Sequence, residues 1–387
     1  MNVLNRALPF LAAALLLSPY YFFYFTSFDQ GNADSPIAVT VFKFIALAVC
    51  VIAMFPMSID RTASYAKLLL ASFFAWAVVA FIFKGIFNGF SEFYFINTVL
   101  CAIPFLLMRP KQGAITQFLS SCAIVLAAQV AIDSWISYSG NSLWDNGAFV
   151  GGVGNPSSFG FLCNLLIAYV VFYRKGRFVF LVPVLAYGSV MSSSMLSVAM
   201  LAAVLLGALL IRLTVKKLIA LLFLPVIAAV AAPSAITDHV AYKLASIAPS
   251  DDMESRSISV SGRLDIHAEY ANRFSEEPFQ ALFYGFEHYI GIDSQVLTYI
   301  SSFGLLISAF FFIAVSIGMA SAFKGKGELN RFVAVALLLF AVSFLSNRLL
   351  DYFPVAFFLF AVLSMLRPER RAIKLQILTG DLRRTVS

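Results

Sequence analysis

Near its C-terminus the chain reads FVAVALLLFAVSFLS over 332–346, NRLLD over 347–351 and YFPVAFFLFAVLSML over 352–366. Two apolar runs meet at a short turn that holds Arg348 and Asp351, the pattern of a hairpin that crosses a membrane twice. The same alternation of apolar run and polar break extends toward the N-terminus. Runs lie near 7–26, 36–56, 67–84, 93–108, 115–138, 157–173, 178–191, 195–211, 218–233 and 294–323. A span needs about 20 apolar residues to cross ~30 Å of hydrocarbon, so twelve spans use about 240 residues. That is close to the 61% of 387 residues that are hydrophobic. Charged residues make up only 12%, against about 25% in soluble domains. So little polar surface excludes a soluble enzyme, a disordered protein and a nucleic-acid binder. The expected fold is an all-α, polytopic transmembrane bundle of about twelve spans with one large outer loop.

Charge separates the connecting segments. One set holds Arg61 and Lys67, Arg109 and Lys111, Arg174 to Arg177, Arg212 to Lys217, Lys324 to Arg331, and the tail from Arg367. The other set, 27–35, 85–92, 139–156, 192–194, 234–293 and 347–351, holds most of the acids. Lys and Arg collect on the cytoplasmic side, which predicts both termini there and the second set outside. The order is then an N-terminal bundle of about nine spans (1–233), an outer loop (234–293), C-terminal spans (294–366) and a basic cytoplasmic tail (367–387). The first run starts at Arg6 but is too long for a signal-peptide core and lacks a cleavage site, so it reads as a span. The short runs 178–191 and 195–211 flank three serines, and a ten-span chain with a re-entrant hairpin there is the alternative. The four cysteines fall inside apolar runs without metal-ligand spacing and read as small buried hydrophobes. Gly151-Gly152-Val153-Gly154 follows no strand, so its likeness to a phosphate loop is accidental. No nucleotide-binding pattern is present.

The outer loop gathers all three histidines, His239, His267 and His288, with Arg256, Arg263, Arg273 and a group of acids that includes Asp265, Glu269, Glu276, Glu277, Glu287 and Asp293. Ser261–Phe274 reads as an amphipathic helix capped by Ser261, with Leu264, His267/Ala268, Ala271 and Phe274 on its apolar face. Arg263 and His267 share one side, and Glu269 and Arg273 form an i, i+4 pair. Such a helix can lie at the membrane interface and offer Arg263 as a fork for a phosphate. Pro278 stops it. Asp293 either orients or deprotonates a hydroxyl or caps the following span. Lys43 and Asp133 lie at similar depths in their spans, where they could pair; intramembrane charges mark function or a buried structural pair.

These features in order resemble the superfamily of O-antigen polymerases and ligases, integral membrane glycosyltransferases. The resemblance is carried by Gly154-Asn155-Pro156 opening a span, the Met191-Ser192-Ser193-Ser194 hairpin and Ser261-Gly262-Arg263 in the large loop. Pro278, Gly285, Asp293-Ser294 and Phe303-Gly304-Leu305 follow, then two final spans. Met195 stands where the family's serine hairpin usually carries an Arg. Asp293-Ser294 replaces the His-Asn pair usual in ligases, which favours a polymerase over a ligase. A transporter of lipid-linked glycan is the alternative from another class. The resemblance implies a GT-C-like bundle in the bacterial inner membrane with its site on the periplasmic face. It also implies transfer of an undecaprenyl-diphosphate-linked glycan in O-antigen or exopolysaccharide synthesis, as in lipopolysaccharide, without metal or other cofactor. Arg263, Arg348 and Arg256 are then expected to bind the diphosphate. Asp293, His267 and His288 compete for the catalytic base. Membrane lipid and a chain-length regulator protein are the expected partners, and nucleic acid is not.

Overall fold

A computed structural model describes residues 3–26, 36–55, 64–84, 90–144, 147–210, 258–286 and 293–366. The described residues are predominantly helical and contain no strand. In order they form α1 (Val3–Leu17), α2 (Pro19–Thr26), α3 (Pro36–Met54), α4 (Tyr65–Lys84), α5 (Phe90–Leu107) and α6 (Gln112–Tyr138). Next come α7 (Pro156–Tyr169), which runs on into a π-helical turn at Val170–Arg174, then α8 (Leu181–Met191) and α9 (Met195–Leu210). After the undescribed stretch follow α10 (Ile258–Glu276), α11 (Pro278–Phe283), α12 (Gln295–Phe303), α13 (Leu305–Lys324), α14 (Glu328–Ser346) and α15 (Phe353–Ser364). The apolar run 218–233 and the tail 367–387 lie outside the described residues.

These helices coincide with the apolar runs, with two corrections. The run 7–26 bends by 63° at Ser18. Pro19 brings no amide hydrogen to continue the ladder, and at the bend the Leu17 carbonyl accepts from Gln129 Nε2 of α6 at 2.8 Å. The run 294–323 breaks at Gly304, whose φ of 83° and ψ of 157° belong to a region open essentially to glycine alone. By length and composition, four of the described helices can cross a membrane, α6, α7 with its π turn, α13 and α14, or five if the bent α1–α2 pair is one span. Among the described residues the fold is therefore all-helical, with several apolar helices of membrane-spanning length.

Lipid removes most of the hydrophobic drive between helices, so close packing must hold them. Two devices provide it. Small residues bring backbones together: a Cβ on Gly160 of α7 would lie 2.4 Å from Ser192 Oγ, and one on Gly188 of α8 would lie 2.5 Å from Val130. Phenylalanines fill the remainder. Buried Phe73 of α4 meets Phe95, Tyr299, Phe303 and Phe311 at ring-centroid distances of 5.2–5.8 Å, so α4, α5, α12 and α13 share one aromatic centre. The four cysteines are buried and free, as expected.

The outer helix differs from the sequence reading in start and face. It begins at Ile258, so Ser261 lies inside it and not at its cap. Ile266, Tyr270 and Phe274 form its packed face, against Ala281, Phe286 and Leu297, while His267, Ala268 and Ala271 are exposed. Larger side chains one position away bury more area than alanine and turn the helix accordingly. The apolar face therefore rests on the chain itself. Burial raises the Tyr270 hydroxyl to about 12. The helix ends two residues before Pro278, which opens α11, and the Glu269–Arg273 pair forms at 3.2 Å.

Candidate functional site

The turn between α14 and α15 is held from three sides. From α12, the Gln295 amide donates to the Asn347 carbonyl at 3.2 Å. Gln295 Oε1 accepts from the Leu350 amide at 2.9 Å, and Ser294 Oγ donates to the Phe344 carbonyl at 3.1 Å. From α5, Thr98 Oγ1 donates to the Leu350 carbonyl at 3.0 Å. From the start of α7, Asn155 Nδ2 donates to Tyr352 Oη at 2.7 Å. Asn155 does this while Oδ1 caps α7 at the Ser158 amide, 3.0 Å away, and Pro156 fills the first helical position, where no amide donor is missed. Ser294, and not Asp293, is the N-cap of α12.

On this pinned turn Arg348 and Asp351 form an ion pair with side chains only 16% and 11% exposed. Burial pushes the Asp351 carboxyl above its ordinary value, while Arg348 and Gln295 hold it back. Tyr299 of α12 is buried and feels the Asp351 charge. The corner thus holds a fixed guanidinium, a carboxylate with raised proton affinity, and amide and phenol groups. A guanidinium so fixed can receive a phosphate in a fork, and the carboxylate can hold or move a proton.

The fold places two sequence candidates, Asp293 and Arg348, at this corner. Asp293 is exposed and two residues ahead of Gln295; Arg348 follows Asn347, to which the Gln295 amide binds. Arg263 and His267 lie one turn apart on α10, which rests on α12 through Leu297. His267 is exposed. Arg256 and His288 lie outside the described residues. Sequence reasoning missed Gln295, Tyr352 and the Asp351 partnership. An amide at the first residue of a capped helix and charges three apart in a turn were the signals for them.

Asp133 does not pair with Lys43. Its Oδ2 accepts from the amides of Val150 at 3.0 Å and Gly151 at 2.8 Å, and its other oxygen accepts from Tyr21 Oη. Gln129 Oε1 takes the Gly152 amide at 3.1 Å. The glycine run therefore spends its amides on side chains of α6, which removes any phosphate-loop role. Gly152 is required there because a Cβ would lie 2.2 Å from the Leu17 carbonyl. The serine hairpin between α8 and α9 packs beneath this loop, its Met191 carbonyl accepting from the Phe149 amide at 2.9 Å. Ser193 takes a left-handed φ of 57°.

A reciprocal glycine contact joins the outer segment to the bundle. A Cβ on Gly285 would lie 2.2 Å from the Ser301 carbonyl, and one on Gly304 would lie 2.6 Å from the Phe283 carbonyl carbon. The Phe286 amide donates to that Ser301 carbonyl at 2.6 Å, and Trp76 Nε1 of α4 donates to the Phe283 carbonyl at 3.3 Å. Compared with models of known families and with curated proteins, the chain matches none.

Proposed function

We propose that this protein is a metal-independent membrane glycosyltransferase, a polymerase that moves an undecaprenyl-diphosphate-linked glycan onto the next lipid-linked repeat unit. The observation that carries the reading is the largely buried Arg348–Asp351 pair, pinned at one end of an otherwise apolar helical bundle. Transfer from a diphosphate needs a fixed cation where negative charge develops on the leaving group, and such preorganised stabilisation is usually a large contribution. Arg348 meets that need. Arg263 on α10 and Arg256 are the further cations of the reading, with Asp293, His267 and His288 as bases contributed from the outer segment. The topology that goes with it has twelve spans in the bacterial inner membrane, cytoplasmic termini and a periplasmic site. The ordered motifs shared with O-antigen polymerases and ligases support the substrate class. Asp293-Ser294 in place of the ligase His-Asn pair favours polymerisation.

The test uses purified protein in nanodiscs with undecaprenyl-diphosphate-linked repeat units and neither nucleotide nor metal. A ladder of regularly spaced glycans on a gel is the expected product, and Arg263→Ala should abolish it without loss of membrane insertion. Transfer only after a lipid or protein acceptor is supplied turns the assignment to a ligase. Silence in both assays with folded protein turns it to a transporter.

A further inference from the structure

We propose that Asp351 is itself a catalytic base, held by Arg348 in the resting protein and released when the substrate diphosphate takes Arg348 over. This rests on the glycosyltransferase reading above.

The argument starts from a competition between two anions for one fork. A guanidinium binds carboxylate and phosphate through the same planar pair of donors. Arg348 already holds the Asp351 carboxylate in a corner with little water. A diphosphate brings more charge to the same donors and displaces the carboxylate. Asp351 does not then leave the corner, because bonds to the Asn347 and Leu350 backbone hold the chain before it and Asn155 holds the Tyr352 hydroxyl just after it. Gln295 stays beside it. The freed carboxylate therefore stands next to the leaving group's cation, within the space where an acceptor hydroxyl must approach. His267 and Asp293, by contrast, are exposed to solvent, and water competes for protons there.

In the step itself the acceptor oxygen forms a bond to the anomeric carbon. The bond from that carbon to the diphosphate oxygen breaks, and its electron pair departs with the diphosphate, which Arg348 holds. The acceptor proton passes to an Asp351 carboxylate oxygen and leaves with the diphosphate or to water when product is released. Arg348 then recaptures Asp351. Because Asp351 is free only while a diphosphate is bound, it does not activate water in the resting site.

The pair makes an unusual demand on one substitution: Asp351→Asn should bind better and react worse. Binding is read in nanodiscs with undecaprenyl diphosphate carrying no glycan, and turnover with the lipid-linked repeat unit. D351N should bind severalfold more tightly than wild type, its competing carboxylate gone, while turnover falls about 100-fold or more, as for loss of a general base. D351E should recover part of the turnover, and R348A should lose both. D351N with weakened binding and weakened turnover together, the signature of a structural ion pair, overturns the proposal. So does D351N polymerising normally beside an active wild type, and that result leaves the polymerase reading intact. A wild type that makes no polymer sinks the polymerase reading and the base role with it.

Discussion

Replacing Asp133 by Ala removes the acceptor for the amides of Val150 and Gly151 and for the Tyr21 hydroxyl. A buried donor left without a partner costs about 1–3 kcal/mol, so three such groups cost roughly 3–9 kcal/mol if none finds water. The crevice beside Asp133, bordered by Ser137, Asn141 and Phe149, holds only about 10 Å³, room for about one water. The Tyr21 hydroxyl keeps the Gln129 carbonyl at 3.3 Å, so the two amides compete for that water and the expected loss is roughly 2–6 kcal/mol. For a chain of this length each kcal/mol shifts the midpoint by about 1–2 °C, so D133A should unfold roughly 2–12 °C below wild type. The four buried cysteines make the assay simple: a thiol-reactive dye brightens as detergent-purified protein unfolds. Asp133→Asn keeps the volume and one acceptor oxygen and should lose about half as much. The exchanged pair Lys43→Asp with Asp133→Lys should be no better than D133A, since the carboxylate serves the loop and not Lys43. D133A unfolding within about 1 °C of wild type, or stability restored by the exchanged pair, refutes this account.

Three further outcomes follow from the geometry. Gly304→Ala forces a side chain into a glycine-only conformation and against the Phe283 backbone; it should cost about 3 kcal/mol or more and speed proteolysis within 258–286. Tyr352→Phe removes the acceptor of Asn155 Nδ2, should cost about 1 kcal/mol, and should lower turnover less than tenfold with insertion unchanged. Burial raises Asp351 above the ordinary carboxylate value of about 3.9, so its charge is lost on acidification before that of a surface aspartate. Turnover should therefore show an acid limb above pH ~4 that D351N lacks, while diphosphate binding strengthens over the same range as Arg348 is freed. Folding stability runs the other way: with the folded value raised, this group's contribution is full below the unfolded value and is lost as pH rises through the folded one.

The helices were legible because an apolar run is a local property, and Pro19 was in plain view for the bend it causes. Gly304 was visible too, yet nothing local separates a glycine that breaks a helix from one that lets two helices touch, as Gly160 does. The face of α10 was misjudged for a related reason. Alanines fit the helical period, but which stripe is buried depends on Phe286 and Leu297, which arrive from later in the chain. At the site, Arg348 stood out as a charge between two apolar runs. Its surroundings did not, because Asn155 and Gln295 are uncharged and become part of the corner only through bonds to residues 197 and 55 positions away. Asp133 shows the limit most clearly. Depth along a helix suggested Lys43, while the partners chosen were backbone amides, which every sequence contains and none displays.

The reciprocal contact of Gly285 and Gly304 also orders events during biogenesis. Gly285 leaves the ribosome before the backbone it must rest against, at Ser301 to Phe303, has been made. The outer segment α10–α11 therefore waits undocked while α12 and α13 are translated. Even then α12 lacks its anchors at Phe344 and Asn347, which come with the final hairpin. Docking of α10–α11 thus comes late in assembly, and the hairpin of α14 and α15 completes the corner carrying Arg348 and Asp351.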